Sequence, residues 1–176
     1  MKPGHVAKEN YSYSKHGSCC VLAAIEPLTG KRVAHVRAKR RKKEFALFMK
    51  ELAEQYLEAD VLIVVLDNFN THGYHSFYEC FDAETAAELT QKIEFVFTPK
   101  NASWLNMIEI EFSVLSRQCL NRRIPCRKKL ESEVLTFFKE RSLKGISINW
   151  QFTPQDARKK LNRRYCEVNK ANSKYK

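Results

Sequence analysis

The chain has 176 residues, 44% of them hydrophobic, which suits one domain with a core of ordinary size. Lys and Arg outnumber Asp and Glu by 31 to 20, a formal charge of +11. Such a surplus points to a polyanionic partner, with nucleic acid ahead of anionic lipid because no basic amphipathic anchor is present. The start, Met1-Lys2-Pro3-Gly4-His5, has no apolar stretch behind it, and the longest strongly apolar run, Val61 to Leu66, is too short to cross a bilayer. A soluble protein without a membrane partner is expected. The cysteines, Cys19, Cys20, Cys80, Cys119, Cys126 and Cys166, contain no Cys-x-x-Cys pair and no two-Cys, two-His spacing. No structural zinc site is expected, and the thiols read as small reduced residues of a cytosolic protein.

In chain order, residues 1–17 are polar and without helical period, an extended arm. Ser18 to Ile25 is an apolar run that suits a buried strand, and Pro27-Leu28-Thr29-Gly30 supplies the turn of a hairpin. Lys31 to Val36 alternates as its second strand. Arg37 to Lys43 then places six basic residues in seven positions. From Glu44 the period becomes helical, with Phe45, Phe48, Met49, Leu52 and Tyr56 at spacings of three and four. Val61 to Leu66 is an unbroken β-branched and Leu run, fitting a strand covered on both faces at the centre of an α/β sheet.

That strand ends in the polar cluster Asp67 to Gly73. Helical stretches around His75 to Cys80 and Ala83 to Lys92 precede a short strand, Ile93 to Phe97, closed by Thr98-Pro99. Helices are predicted from Trp104 to about Leu120, from about Lys128 to Arg141, and from Pro154 to Arg164, with an irregular segment at Ile146 to Phe152. Residues 169–176 read as a basic tail. The alternation predicts a layered α/β domain over residues 18–168.

Chemistry is expected at two acids. Asp67 follows six apolar strand residues, so a stiff backbone pins its carboxylate at the sheet edge, where α/β sites usually lie. Hard divalent cations prefer such oxygen ligands. Asp67-Asn68 is also good turn chemistry. Glu109 sits on the first turns of the helix that follows the last strand. Two cations about 3.5–4 Å apart need carboxylates converging from separate elements, and a strand and a helix supply them. Glu111, about 200° further round the helix, should point away, as a surface residue or an outer support.

The stretches Leu66-Asp67-Asn68-Phe69-Asn70-Thr71-His72 and Thr98-Pro99-Lys100-Asn101-Ala102-Ser103-Trp104-Leu105-Asn106-Met107-Ile108-Glu109 resemble the DDE transposases of bacterial insertion sequences. The nearest group is the IS630/Tc1-mariner superfamily. The resemblance runs from about Pro3 to Val168. It implies a three-layer ribonuclease H-like α/β fold, with Asp67 and Glu109 as the second and third catalytic acids. It implies two Mg²⁺ ions (Mn²⁺ possible) in the complete site. Asn68, His72 and Asn106 would then support the carboxylates. Trp104 is read as core in preference to a stacking partner for a flipped base. Double-stranded DNA, as transposon ends and target, is the implied partner, with a homodimer when complete and a location at the bacterial nucleoid in the cytoplasm.

One feature of the pattern is missing. The family's first Asp lies on a strand ahead of a Pro-Gly segment that Lys2-Pro3-Gly4 resembles, and no strand-borne Asp precedes Asp67. The acids before it are Glu9, Glu26, Glu44, Glu51, Glu54, Glu58 and Asp60, of which Glu26, at a strand end, is the one conceivable stand-in. The family's helix-turn-helix region is absent too. The expectation is a domain lacking its first strand, completed by an upstream reading-frame product and inactive alone; the alternative is a remnant that at most binds DNA. Phosphate contacts are expected from Arg37, Lys39, Arg40, Arg41, Lys42 and Lys43, from Arg122 and Arg123, and from Arg158 and Arg163.

Overall fold

The computed structural model describes residues 17–100 and 102–168. The arm at residues 1–16 and the tail at 169–176 lie outside them. Strand β1 (Cys20–Ile25) pairs antiparallel with β2 (Arg32–Arg37), Cys20 opposite Arg37 and Ile25 opposite Arg32. The turn between them closes through Gly30 N–H to the Glu26 carbonyl and Glu26 N–H to the Lys31 carbonyl, both 2.8 Å. Helix α1 (Lys42–Glu54) follows and buries the stripe Phe45, Phe48, Met49 and Leu52, as the three-and-four spacing requires.

Strand β3 (Leu62–Leu66) runs parallel to β4 (Ile93–Phe97), with Leu62 opposite Ile93 and Leu66 opposite Phe97. A parallel pair needs a long crossover. Helices α2 (His75–Tyr78) and α3 (Ala83–Lys92) provide it, and the Asp82 side chain caps α3 by accepting from Thr85 N–H. After β4 come a 3-10 turn at Ser103–Leu105 and helices α4 (Ile108–Gln118), α5 (Arg127–Leu143) and α6 (Pro154–Val168). The predicted helix from Trp104 starts later because Asn106 has extended backbone angles, φ −77° and ψ 114°, which break it.

Two apolar clusters hold these pieces. In the first, α1 packs on both strand pairs at once: Phe45, Phe48 and Met49 share a core with Val33, Leu66, Phe77 and Ile93, and Leu22 and Ala24 of β1 lie against it. The second lies on the opposite face of the hairpin, where Ala34 and Val36 meet Leu115 and Cys119 of the α4 segment and Val134 and Phe138 of α5. The hairpin is therefore the middle of three layers.

The other strand pair departs from expectation. Leu62, Val64 and Leu66 face the α1 core, yet Ile63 and Val65 are 67% and 49% exposed. Among the described residues, β3 and β4 form a two-stranded sheet that shares no hydrogen bonds with β1 and β2. Helices α4 and α5 pack on the hairpin instead, so among the described residues β3 is covered on one face only. Among the described residues no helix is long and apolar enough to cross a membrane.

Candidate active site

Asp67 is the first residue after β3. The parallel ladder reaches past it, because Thr98 N–H donates to the Leu66 carbonyl at 2.9 Å and the Asn68 side-chain amide donates to the Thr98 carbonyl. Both strand ends are thus stitched together beside the carboxylate. Asp67 Oδ1 accepts from Phe69 N–H at 3.3 Å and lies 2.7 Å from His72 Nδ1. A turn with His72 N–H on the Phe69 carbonyl at 2.8 Å brings that ring round. The imidazole stacks on Phe45 of α1 at 4.8 Å and meets the edge of Phe69 at 5.6 Å. Arg40 in turn covers the Phe69 ring, 3.7 Å from its centroid. Asp67 is held by a histidine that is itself packed between the helix and the loop.

Glu109 stands in the first turn of α4 with its side chain exposed, and it forms no side-chain hydrogen bond or ion pair among the described residues. Asn106 caps this helix start: its Oδ1 accepts from Ile108 N–H at 3.3 Å and its carbonyl from Glu109 N–H at 3.1 Å. The amides of Asn68 and Asn106 therefore bond backbone, not the two carboxylates, and of the three expected supports only His72 touches one. Trp104 is half-buried, edge-on to Phe152 at 4.9 Å with Lys160 Nζ 4.2 Å above its ring. It joins the approach to α4 to the C-terminal helix.

For Glu111 the reading as a surface residue is corrected. The 200° rotation from Glu109 holds, but the side chain enters the protein, only 1% of the residue being exposed. Both of its oxygens are bridged by Arg32 of β2, Nε at 2.8 Å and Nη2 at 2.9 Å. Arg141 of α5 does the same, with Nε and Nη2 at 3.0 Å. Arg32 also donates to the carbonyls of Gly30 and Ile146. Burial pushes the Glu111 carboxyl up, and the two guanidiniums overcome this and hold it below the usual range. The signal was in the sequence: Ile108, Glu111 and Leu115 follow the three-and-four spacing of a buried stripe, and so do Val134, Phe138 and Arg141.

Glu26, the conceivable stand-in for a first acid, accepts from the Tyr56 hydroxyl at 3.1 Å. The basic residues divide by what they touch. Lys42 pairs with Glu79, Arg122 with Glu133, and Arg163 with Glu167, while Arg37 contacts His35 Nδ1 at 3.0 Å. Lys39, Arg41, Lys43, Arg123 and Arg158 are exposed, with no side-chain partner among the described residues.

Among the described residues no three acids, histidines or cysteines converge as a metal cluster. The donor chemistry nonetheless suits a hard cation: the strand end offers the Asp67 carboxylate and a buried Thr98 hydroxyl with no hydrogen-bond partner, and α4 offers the exposed Glu109 carboxylate. A basic mixed α/β domain with a strand-end carboxylate and a second acid on a following helix is an arrangement that nuclease chemistry can use. The family model for the DDE superfamily endonuclease matches residues 1–131, and the chain belongs to that family. Membership brings DNA as the substrate class and the divalent-metal dependence typical of such domains. No curated protein matches the chain.

Proposed function

We propose that this chain carries the catalytic core of a DDE transposase of the IS630/Tc1-mariner type, with a ribonuclease H-like sheet. The observation that carries the reading is the parallel β3–β4 pair, with Asp67 at its C-terminal edge and a short path from β4 to the helix bearing Glu109. Asp67 and Glu109 are two of the three carboxylates, and His72 fixes the Asp67 rotamer. Two divalent cations, when bound, activate the attacking oxygen and stabilise the leaving oxygen of an in-line phosphodiester displacement. The third carboxylate is expected from a further strand that ends in Asp and pairs between β1 and β3, two strands that contribute side chains to one core without sharing hydrogen bonds. The exposed basic residues grip DNA phosphates.

Nicking of a supercoiled plasmid in Mg²⁺ or Mn²⁺ tests this. The chain alone is expected to bind DNA without cutting it. A longer chain, with an upstream strand ending in Asp, is expected to cut, and to stop cutting on Asp67→Ala or Glu109→Ala. Cleavage by the chain alone that survives both substitutions overturns the assignment. The second reading is a DNA-binding remnant, favoured by the exposed basic residues together with the lack, among the described residues, of any group of three acids, histidines or cysteines that could hold a metal ion. It predicts that no upstream strand restores cleavage.

A further inference from the structure

We infer that the buried Arg32–Glu111–Arg141 network is a positioning device for Glu109, setting the metal affinity of the carboxylate pair; this rests on the reading of Glu109 as a metal ligand. Helix α4 has 11 residues, and its buried residues are Ile108, Glu111 and Leu115. The two apolar anchors attract without direction, so they leave the helix free to roll slightly about its axis. Glu111 removes that freedom. Its carboxylate is gripped by planar forks from β2 on one side and α5 on the other, four bonds between 2.8 and 3.0 Å. Bidentate guanidinium–carboxylate pairs fix orientation as well as distance.

The clamp is itself anchored. Arg32 N–H donates to Ser142 Oγ at 3.0 Å, and its guanidinium reaches the Ile146 carbonyl at 2.7 Å. Two residues along a helix turn about 200°, so fixing Glu111 inward fixes Glu109 outward, on the exposed face. Stability alone does not call for three charges here, because apolar residues of similar volume often replace buried ionic triads without loss. An orientation role accounts for them.

The test is a Mn²⁺ titration of the full chain followed by electron paramagnetic resonance, with thermal unfolding recorded on every variant. Glu109→Gln reports on the underlying site. Glu111→Gln and the milder Arg141→Lys report on the clamp, and Val134→Ala removes core packing from α5 without touching it. Glu111→Gln and Arg141→Lys are each expected to raise the Mn²⁺ Kd about tenfold, the usual scale for groups that orient a ligand. Val134→Ala is expected to lower the melting temperature and leave Kd unchanged. Wild-type affinity in both clamp variants, or an equal loss in Val134→Ala, overturns the inference. Should Glu111→Gln not fold, Arg141→Lys decides. Unchanged Mn²⁺ binding in Glu109→Gln overturns the site assignment itself and the inference with it; should the chain alone bind no Mn²⁺, the same series on the longer chain that carries the upstream Asp decides.

Discussion

Gly30 lies so close to Ile146 that a Cβ added to it would stand 2.6 Å from the Ile146 carbonyl oxygen. The same glycine has φ +76°, in the left-handed region that side chains avoid. Its carbonyl and that of Ile146 both accept from Arg32. The turn of the hairpin and the segment after α5 thus meet over one guanidinium. Gly30→Ala carries both the backbone strain and the backbone clash, and should cost about 2 kcal/mol or more. Urea unfolding measures this directly. A midpoint equal to the wild type would mean the two segments part easily.

The two arginines of the clamp should not be equivalent. Arg32 is buried and serves Glu111 and two carbonyls, whereas the Arg141 side chain is 16% exposed and water reaches it. Arg32→Ala should cost about 3–5 kcal/mol, the scale for stranding a buried partner. Arg141→Ala should cost about 1–3 kcal/mol. Equal losses in chemical denaturation would contradict the difference in burial.

Tyr56 gives a prediction in alkali. Burial first, and then the hydrogen bond to Glu26, push its phenol up to about 12. The unfolded value is about 10, so the native state holds the proton more tightly than the unfolded chain. The stability this contributes is fully present below about pH 10 and is lost as pH rises through about 12. Urea midpoints should therefore fall further across that window in the wild type than in Tyr56→Phe. Parallel curves for the two proteins would show that the pair has no such linkage.

DNA binding should separate free cations from paired ones. Arg41 and Lys43 are exposed without side-chain partners among the described residues, and Lys42 between them already pairs with Glu79. Arg41→Ala or Lys43→Ala should reduce the slope of log K against log salt by about 0.9 each if each neutralises one phosphate. Lys42→Ala should reduce it by less. Fluorescence anisotropy on a short duplex at several salt concentrations measures the slopes, and unchanged slopes for Arg41 and Lys43 would remove the run from the interface.

Much of the candidate site was legible because its signals are local. An apolar run stops at Asp67, and Asp and Asn favour strand-ending turns, so the carboxylate had to stand at a sheet edge. Phe45, Phe48, Met49 and Leu52 announce a helix through spacing alone. The supports of the site were less legible. Asn68 and Asn106 have amides that suit carboxylates and backbone carbonyls equally well, and the fold engages them with backbone. Comparison of Glu111 with Glu109 alone hid the stripe through Ile108 and Leu115 on which Glu111 lies.

By itself the sequence determined the order of strands and helices, the turn that needs Gly30, the place of Asp67 and Glu109 in that order, and the basic character of the surface. These follow from backbone propensity and from side-chain period, which act over a few residues. Tertiary structure alone decided what those groups meet. Arg32 and Glu111 are 79 positions apart, and only the packing of α4 against the hairpin brings them to 2.8 Å. Likewise, among the described residues β3 keeps Ile63 and Val65 exposed because α4 and α5 pack on the hairpin. A run of β-branched residues specifies a strand and leaves open how many layers will cover it, since burial is settled between elements distant in the chain.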